Sequence, residues 1–383
     1  MRAWRNAIAA LVFTALPALC LAQQVAASDT VKDVTPAPVL ANAPAAADPA
    51  PVPAAAPAAA PIVRAGIALI LPLRMTALAR AAEATRAGFM AAREAGQDKP
   101  AVRLIETDGT AAQLLAAYRD AAANALAVVG PLTRVEVAAL MAEAMPVPTL
   151  VLNLPEMAAD APLTVPRLPA GMRALTLNIE FEAQGAAQAA WRNEARNAVV
   201  VSGSSALHKR AAAAFTETWV KQGGRVGNTV EYAGNLARVR QEVERAKADV
   251  VFLAVDAQTA RLLRPHLGRN ANLIATAQVF TGAPKDDAQK EHDLNGVRFM
   301  DMPWLHRAAE PNAVARPVAP LSAELERLYA LGVDAWRVAL MLSQGHAAFE
   351  LEGATGKLKV QDGLIARTLT EVEFRDGDAV IVR

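Results

Sequence analysis

The sequence predicts an α/β fold of two lobes, each a parallel sheet flanked by helices, running from residue 62 to residue 383. Three observations predict it. Short apolar runs alternate with helical patterns in two separate series, one before and one after about residue 178. A long helical pattern returns late in the chain, over 321–342. The only cysteine, Cys20, lies far ahead of the body, so a large core and not disulfides must hold the body together.

Residues 62–72 read as a buried strand, because Ile67, Leu69, Ile70 and Leu71 form a nearly continuous apolar run. Leu78, Ala82, Thr85 and Phe89 then fall on one stripe of a helix over 76–94. A second strand covers 102–107. Thr110 and Gln113 form a capping box for the next helix. A short strand over 127–129 ends in Gly130-Pro131. Thr133 and Glu136 cap a helix to residue 144, and 148–152 is another strand.

After an irregular Pro-rich stretch the alternation restarts. Helices are expected over 181–196 and 205–222, with Gly223-Gly224 ending the second. Asn235 caps a helix to about 247, and Asp256 caps one ending near Pro265. Strands are expected at 198–201, 226–232, 250–254, 273–276 and 297–300. The late helix places Leu325, Leu328, Gly332, Trp336 and Leu340 on one face, and hairpins turn at Asp362-Gly363 and Asp376-Gly377. The pattern assigns 62–177 and 302–365 to the first lobe. It assigns 178–301 and 366–383 to the second, with three strands crossing between them.

Ahead of the body, Arg2 and Arg5 precede an apolar run over 7–19, the pattern of an export signal over 1–22 and of a periplasmic destination. Cleavage fits after Ala22 or after Ala27. Cys20 admits a lipoprotein reading, but Leu19 stands where lipidation needs a small residue, so a soluble cleaved product is the expectation. An uncleaved anchor ranks third. Residues 23–61, rich in Ala and Pro, read as an extended linker.

Composition excludes several functions. Formal net charge is +1, and without Arg2 and Arg5 the 39 basic residues fall to 37 against 38 acidic ones. No net field favours nucleic acid, and 4% aromatic residues supply few stacking platforms. His208, His266, His292, His306 and His346 lack metal-ligand spacing and read as solvated surface. Ser202-Gly203-Ser204-Ser205 stands in a strand-to-helix context, but Leu207 occupies the place of the second glycine of a nucleophile elbow. A polar turn with a Ser N-cap is the stronger reading, and a hydrolase using Ser204 or Ser205 ranks last. No cofactor is expected. A ligand cleft is expected at the carboxyl ends of the strands, lined by Arg74, Pro131, Leu132, Thr133, Asn153 and Gln278, where Thr133 also serves as a helix cap.

The body is similar to type I periplasmic binding folds and, more closely, resembles the LppC/LpoA family of penicillin-binding protein activators. The resemblance rests on Ile67-Ala68-Leu69-Ile70-Leu71-Pro72-Leu73, Val129-Gly130-Pro131-Leu132-Thr133 and Pro148-Thr149-Leu150-Val151-Leu152-Asn153. More specific are the run from Ala275 to Gly282, the run from Asp293 to Trp304 that ends Asp301-Met302-Pro303-Trp304, and Gly332-Val333-Asp334-Ala335-Trp336. Trp304 and Trp336 are expected to fill the lobe junction. The resemblance implies a non-enzymatic regulator that binds a bifunctional class A penicillin-binding protein in the periplasm and activates its peptidoglycan synthesis. The chain departs from the family's better-known members by an Ala/Pro linker in place of a helical-repeat domain, and by Arg74-Met75 where the first strand usually meets Ser-Gly. The alternative is a solute receptor of an ABC transporter with a small ligand in the cleft, for which Arg74 would tolerate an anionic group.

The N-terminal reading is open to a direct test. Intact mass of the exported protein is expected to fit cleavage with no acyl groups, and diacylglycerol on Cys20 would reject it.

Overall fold

The structure is a computed structural model. It describes residues 64–155, 166–268, 271–283, 286–307 and 314–382. The expected signal over 1–22 and linker over 23–61 lie outside the described residues. The described residues belong to one compact unit, Ala60–Arg383.

The first half alternates β1 (Ile67–Leu71), α1 (Ala79–Ala95), β2 (Val102–Glu106), α2 (Ala111–Asn124), β3 (Ala127–Val129), α3 (Arg134–Leu140), β4 (Thr149–Val151) and β5 (Met172–Ala174). A second series follows: α4 (Ile179–Arg192), β6 (Asn197–Ser202), α5 (Ala206–Lys221), β7 (Arg225–Glu231), α6 (Leu236–Ala246), β8 (Val250–Ala254), α7 (Ala257–Leu263), β9 (Leu273–Thr276) and β10 (Val297–Asp301). Then come α8 (Pro303–His306), α9 (Ala323–Ser343) and the tail strands β11 (Glu350–Glu352), β12 (Lys357–Gln361), β13 (Leu364–Thr368), β14 (Thr370–Arg375) and β15 (Asp378–Ile381).

Two sheets result, in the orders β11-β12-β13-β5-β4-β3-β1-β2 and β15-β14-β10-β9-β8-β6-β7. Each is parallel through its α/β series and becomes mixed where the tail joins. The β11, β12 and β13 ladder is antiparallel, and so is the pairing of β14 with β10 and β15. The chain passes between the sheets after β5, after β10 and after β13. β13 runs to Thr368, so residues 366–368 lie in the first sheet, a few residues past the change of lobe expected at 365.

Both faces of each sheet are covered, which is why its central strands are apolar throughout. In β1, Ile67, Leu69 and Leu71 point into the core under α1 and α9, while Ala68 and Ile70 point to the core under α2 and α3. β8 divides in the same way, with Val251 and Leu253 on one side and Val250, Phe252 and Ala254 on the other.

Helix α9 differs from the one-faced helix expected. Tyr329 to Trp336 are all buried, whereas Leu325, Leu328 and Leu340 of the expected stripe are half-buried. The reason is that α9 is enclosed by α1, by the sheet and by the 353–356 turn. Against α1 the two backbones nearly touch. A Cβ on Gly332 would stand 2.0 Å from the Thr85 carbonyl oxygen, and one on Gly88 would stand 1.9 Å from that of Tyr329. Trp336 packs edge-on to Phe89 at 5.2 Å. It therefore fills the first-lobe core and not the lobe junction where it was expected. On the third side, buried Asp334 accepts from Ala354 N–H (2.8 Å), Thr355 N–H (2.7 Å) and Thr355 Oγ1 (2.7 Å), which ties the turn to the helix. β5 was not expected, because its three residues follow a Pro-rich stretch and carry no alternation that a sequence can display.

Gly332→Ala is expected to lower the melting temperature by roughly 3–10 °C, the consequence of ~1–3 kcal/mol of overpacking. Gly96→Ala, at an ordinary φ of −75° and with no neighbour nearer than 3.6 Å, should change it little. Equal melting temperatures for both variants would contradict the close α1–α9 contact.

Candidate functional site

A cavity of about 170 Å³ opens between the lobes. Leu132, Leu152 and Asn153 line it from the loops after β3 and β4, and Arg134 from the start of α3. Leu328 and Leu331 of α9 close one side, and Asn178, Glu182, Leu207, Arg210 and Gln278 face them from the second lobe.

Of the six residues expected in the cleft, Leu132, Asn153 and Gln278 line this cavity, and Arg74, Pro131 and Thr133 are not among its lining residues. Asn153 spends its amide locally: Nδ2 donates to the Leu132 carbonyl (3.1 Å) and Oδ1 accepts from Leu154 N–H (3.0 Å). Pro131 is buried, joined to Gly130 by a cis peptide bond, and its carbonyl accepts from Leu152 N–H at 2.9 Å. Thr133 caps α3. Its Oγ1 accepts from Glu136 N–H (3.1 Å) and donates to Glu136 Oε2 (2.8 Å), while Glu136 Oε1 accepts from Thr107 Oγ1 (3.0 Å). Arg74 is exposed beyond β1, beside Asp108.

Behind the cavity lies a buried charged cluster that joins elements of both lobes. Arg327 of α9 grips Asp301 at the end of β10 with two bonds, Nε to Oδ1 (3.1 Å) and Nη2 to Oδ2 (2.8 Å). The same Nη2 donates to the Ala277 carbonyl at 3.1 Å. Asp301 Oδ1 also accepts from Met302 N–H (2.8 Å), and His306 Nε2 lies 3.0 Å from Oδ2. Burial opposes ionisation of Asp301, but the Arg327 guanidinium and the His306 contact prevail and hold its carboxyl down at about 2. The His306 side chain is 1% exposed, which corrects the expectation that all five histidines are solvated. Glu182, in the first turn of α4, is 8% exposed and accepts from Ala277 N–H at 3.0 Å. Burial pushes it up to about 7.

Arg327 and Glu182 did not stand out in the sequence, and Asp301 did so only within a run that carries the family resemblance, although a signal existed. Glu182 falls on the apolar stripe of Ile179, Ala183, Ala186 and Ala190, where an unpaired carboxylate would be costly. Asp301 ends a strand in which Val297, Phe299 and Met300 are buried.

Ser205 Oγ caps α5, accepting from His208 N–H at 3.1 Å. Among the described residues no group of three His, Cys, Asp or Glu is arranged to hold a metal ion. A larger cavity, about 990 Å³, has Arg261, Lys290 and Glu291 in its wall. These charges are already paired, Arg261 with Glu291 and Lys290 with Asp287 and Asp378.

A family model described as "LppC putative lipoprotein" matches residues 61–244 and 230–377. The penicillin-binding protein activator LpoA of Yersinia pseudotuberculosis is 26% identical over 329 residues, covering 72% of this chain and 48% of that protein. LpoA of Haemophilus influenzae is 26% identical over 219 residues, covering 54% and 37%. The chain thus spans about half the length, or less, of the curated relatives it matches. Among solved structures, a protein of Chromobacterium violaceum described as a "putative branched-chain amino acid ABC transporter" is 34% identical, covers 81% of this chain and 99% of its own, and superimposes with a TM-score of 0.67. The LpoA C-domain of Haemophilus influenzae, described as a regulator of PBP1A, gives a TM-score of 0.67 at 21% identity over 83% of this chain and 99% of its own, a likeness of fold.

Arg327→Met should destabilise the protein by ~3–5 kcal/mol, because it leaves Asp301 buried without its partner. The double variant Asp301→Leu with Arg327→Met should recover a large part of that loss in denaturant unfolding. Additive losses would contradict the pairing. Since the Asp301 carboxyl sits below its ordinary 3.8, its stabilisation is present above about pH 4 and is lost as pH falls towards 2.

Proposed function

Because the chain belongs to the LppC family, we propose that it acts in the bacterial envelope as a regulator that binds a bifunctional class A penicillin-binding protein and stimulates its peptidoglycan synthesis. The observation that carries this reading is the family match, which runs through both lobes, residues 61–244 and 230–377. The names of the curated relatives support it. The chemistry of the fold supports a role by contact: the buried charges hold elements together, and Ser205 spends its hydroxyl on a helix cap. The family's description as a lipoprotein favours anchoring through Cys20, while Leu19 beside it favours a cleaved, soluble product.

A solute receptor is the second reading. It is favoured by the Chromobacterium violaceum likeness at 34% identity. The cleft of about 170 Å³ restricts such a ligand to a small molecule, since pockets for drug-sized ligands run ~300–1,000 Å³.

A glycan-polymerisation assay with the cognate purified synthase, with and without this protein, tests the proposal. The rate should rise at micromolar protein. An unchanged rate without binding would sink the regulator, and a small molecule retained in native mass spectrometry would favour the receptor.

A further inference from the structure

Glu182 is the buried acid of the junction that lacks the donors its neighbour has. Asp301 accepts from Met302 N–H and from two nitrogens of Arg327, and His306 lies against it. Among the described residues, Glu182 accepts one hydrogen bond, from Ala277 N–H. A buried carboxylate needs two or three donors to stay ionised, and a protonated one does not. Glu182 also occupies a place where lobe movement would change its solvation. It belongs to α4 of the second lobe, and Leu328 and Leu331 of α9 face it across the cavity.

The charges around it come from several elements. Arg327 of α9, Asp301 of β10 and Arg367 of β13 act on it from behind, and Arg134 of α3 and Arg210 of α5 share the cavity wall. Arg327 and Arg367 favour its ionised form, but burial outweighs them. Arg327 is committed to Asp301. Arg210 pairs with Glu180 at 2.8 Å. Arg367 donates from Nη1 to the Thr355 carbonyl, and its buried Nε and Nη2 have no partner among the described residues.

We propose that protonated Glu182 keeps the lobes closed over the cavity and that its ionisation releases them, so that closure is proton-dependent. An ionised Glu182 is better solvated when the cleft opens, and a protonated one is at home facing Leu328 and Leu331 of α9 across the closed cavity. The open-to-closed ratio then rises by up to about tenfold per pH unit between the ordinary carboxyl range, near 4.5, and about 7. It levels off above that, for a span of at most about 300-fold.

Spin labels at Val135→Cys on α3 and Lys209→Cys on α5, both exposed positions, report the distance across the cleft in a Cys20→Ser chain. Pulsed dipolar spectroscopy between pH 5 and pH 8 should show a longer-distance population growing with pH. Glu182→Gln, which cannot ionise, should keep the pH 5 distribution throughout, and His306→Gln should follow the unsubstituted chain. Arg367→Met removes a facing cation and should move the midpoint to higher pH, a readout that stands if Glu182→Gln does not fold. A distance independent of pH overturns the proposal. So does a Glu182→Gln chain that still shifts, a His306→Gln chain that does not, or an unmoved midpoint in Arg367→Met.

Discussion

The bond between Arg327 and Asp301 sets the relation between the two sheets. Asp301 ends β10 where the chain leaves the second sheet, and Arg327 lies one turn into the helix that packs on the first. Moving two charges out of water costs several kcal/mol each, and their attraction offsets this only when the remaining donors and acceptors are used. Here they are used, by Met302 N–H, His306 and the Ala277 carbonyl. The pair therefore fixes direction as much as it adds stability. It lets α9 begin against the second lobe, where Ala323 joins that core, and continue into the first, where Tyr329 to Trp336 are enclosed.

From that point the packing is determined by shape. Gly88 and Gly332 let α1 and α9 approach until backbone meets backbone, and Asp334 fastens the 353–356 turn to the opposite side. The tail leaves that turn to add β12 and β13 to the first sheet and then β14 to the second. The cavity is what remains between lobes joined in this way, with Glu182 and Gln278 beside the cluster that joins them.

Local chemistry was legible in the sequence. Thr110, Thr133, Ser205, Asn235 and Asp256 each accept from the N–H three residues on, as short polar side chains before helical patterns should. The continuous apolar run of β1 marked a strand covered on both faces. Long-range choices were not legible. The partners Asp301 and Arg327 are 26 residues apart, and Ala277 and Glu182 are 95 apart, so no spacing rule links them. Leu132, Asn153 and Gln278 reach the cavity because they follow strand ends, the rule that selected them. Thr133 follows the same rule, but its hydroxyl is used by its own helix, and periodicity cannot decide between those claims.

The functional account rests on a partner and not on a reaction, so direct association is its most immediate test. Biolayer interferometry with this protein immobilised and the purified cognate class A penicillin-binding protein in solution measures it. The account predicts saturable binding at micromolar concentration or below. No binding to that synthase, under conditions where the immobilised protein is folded and retains a small ligand, would contradict it.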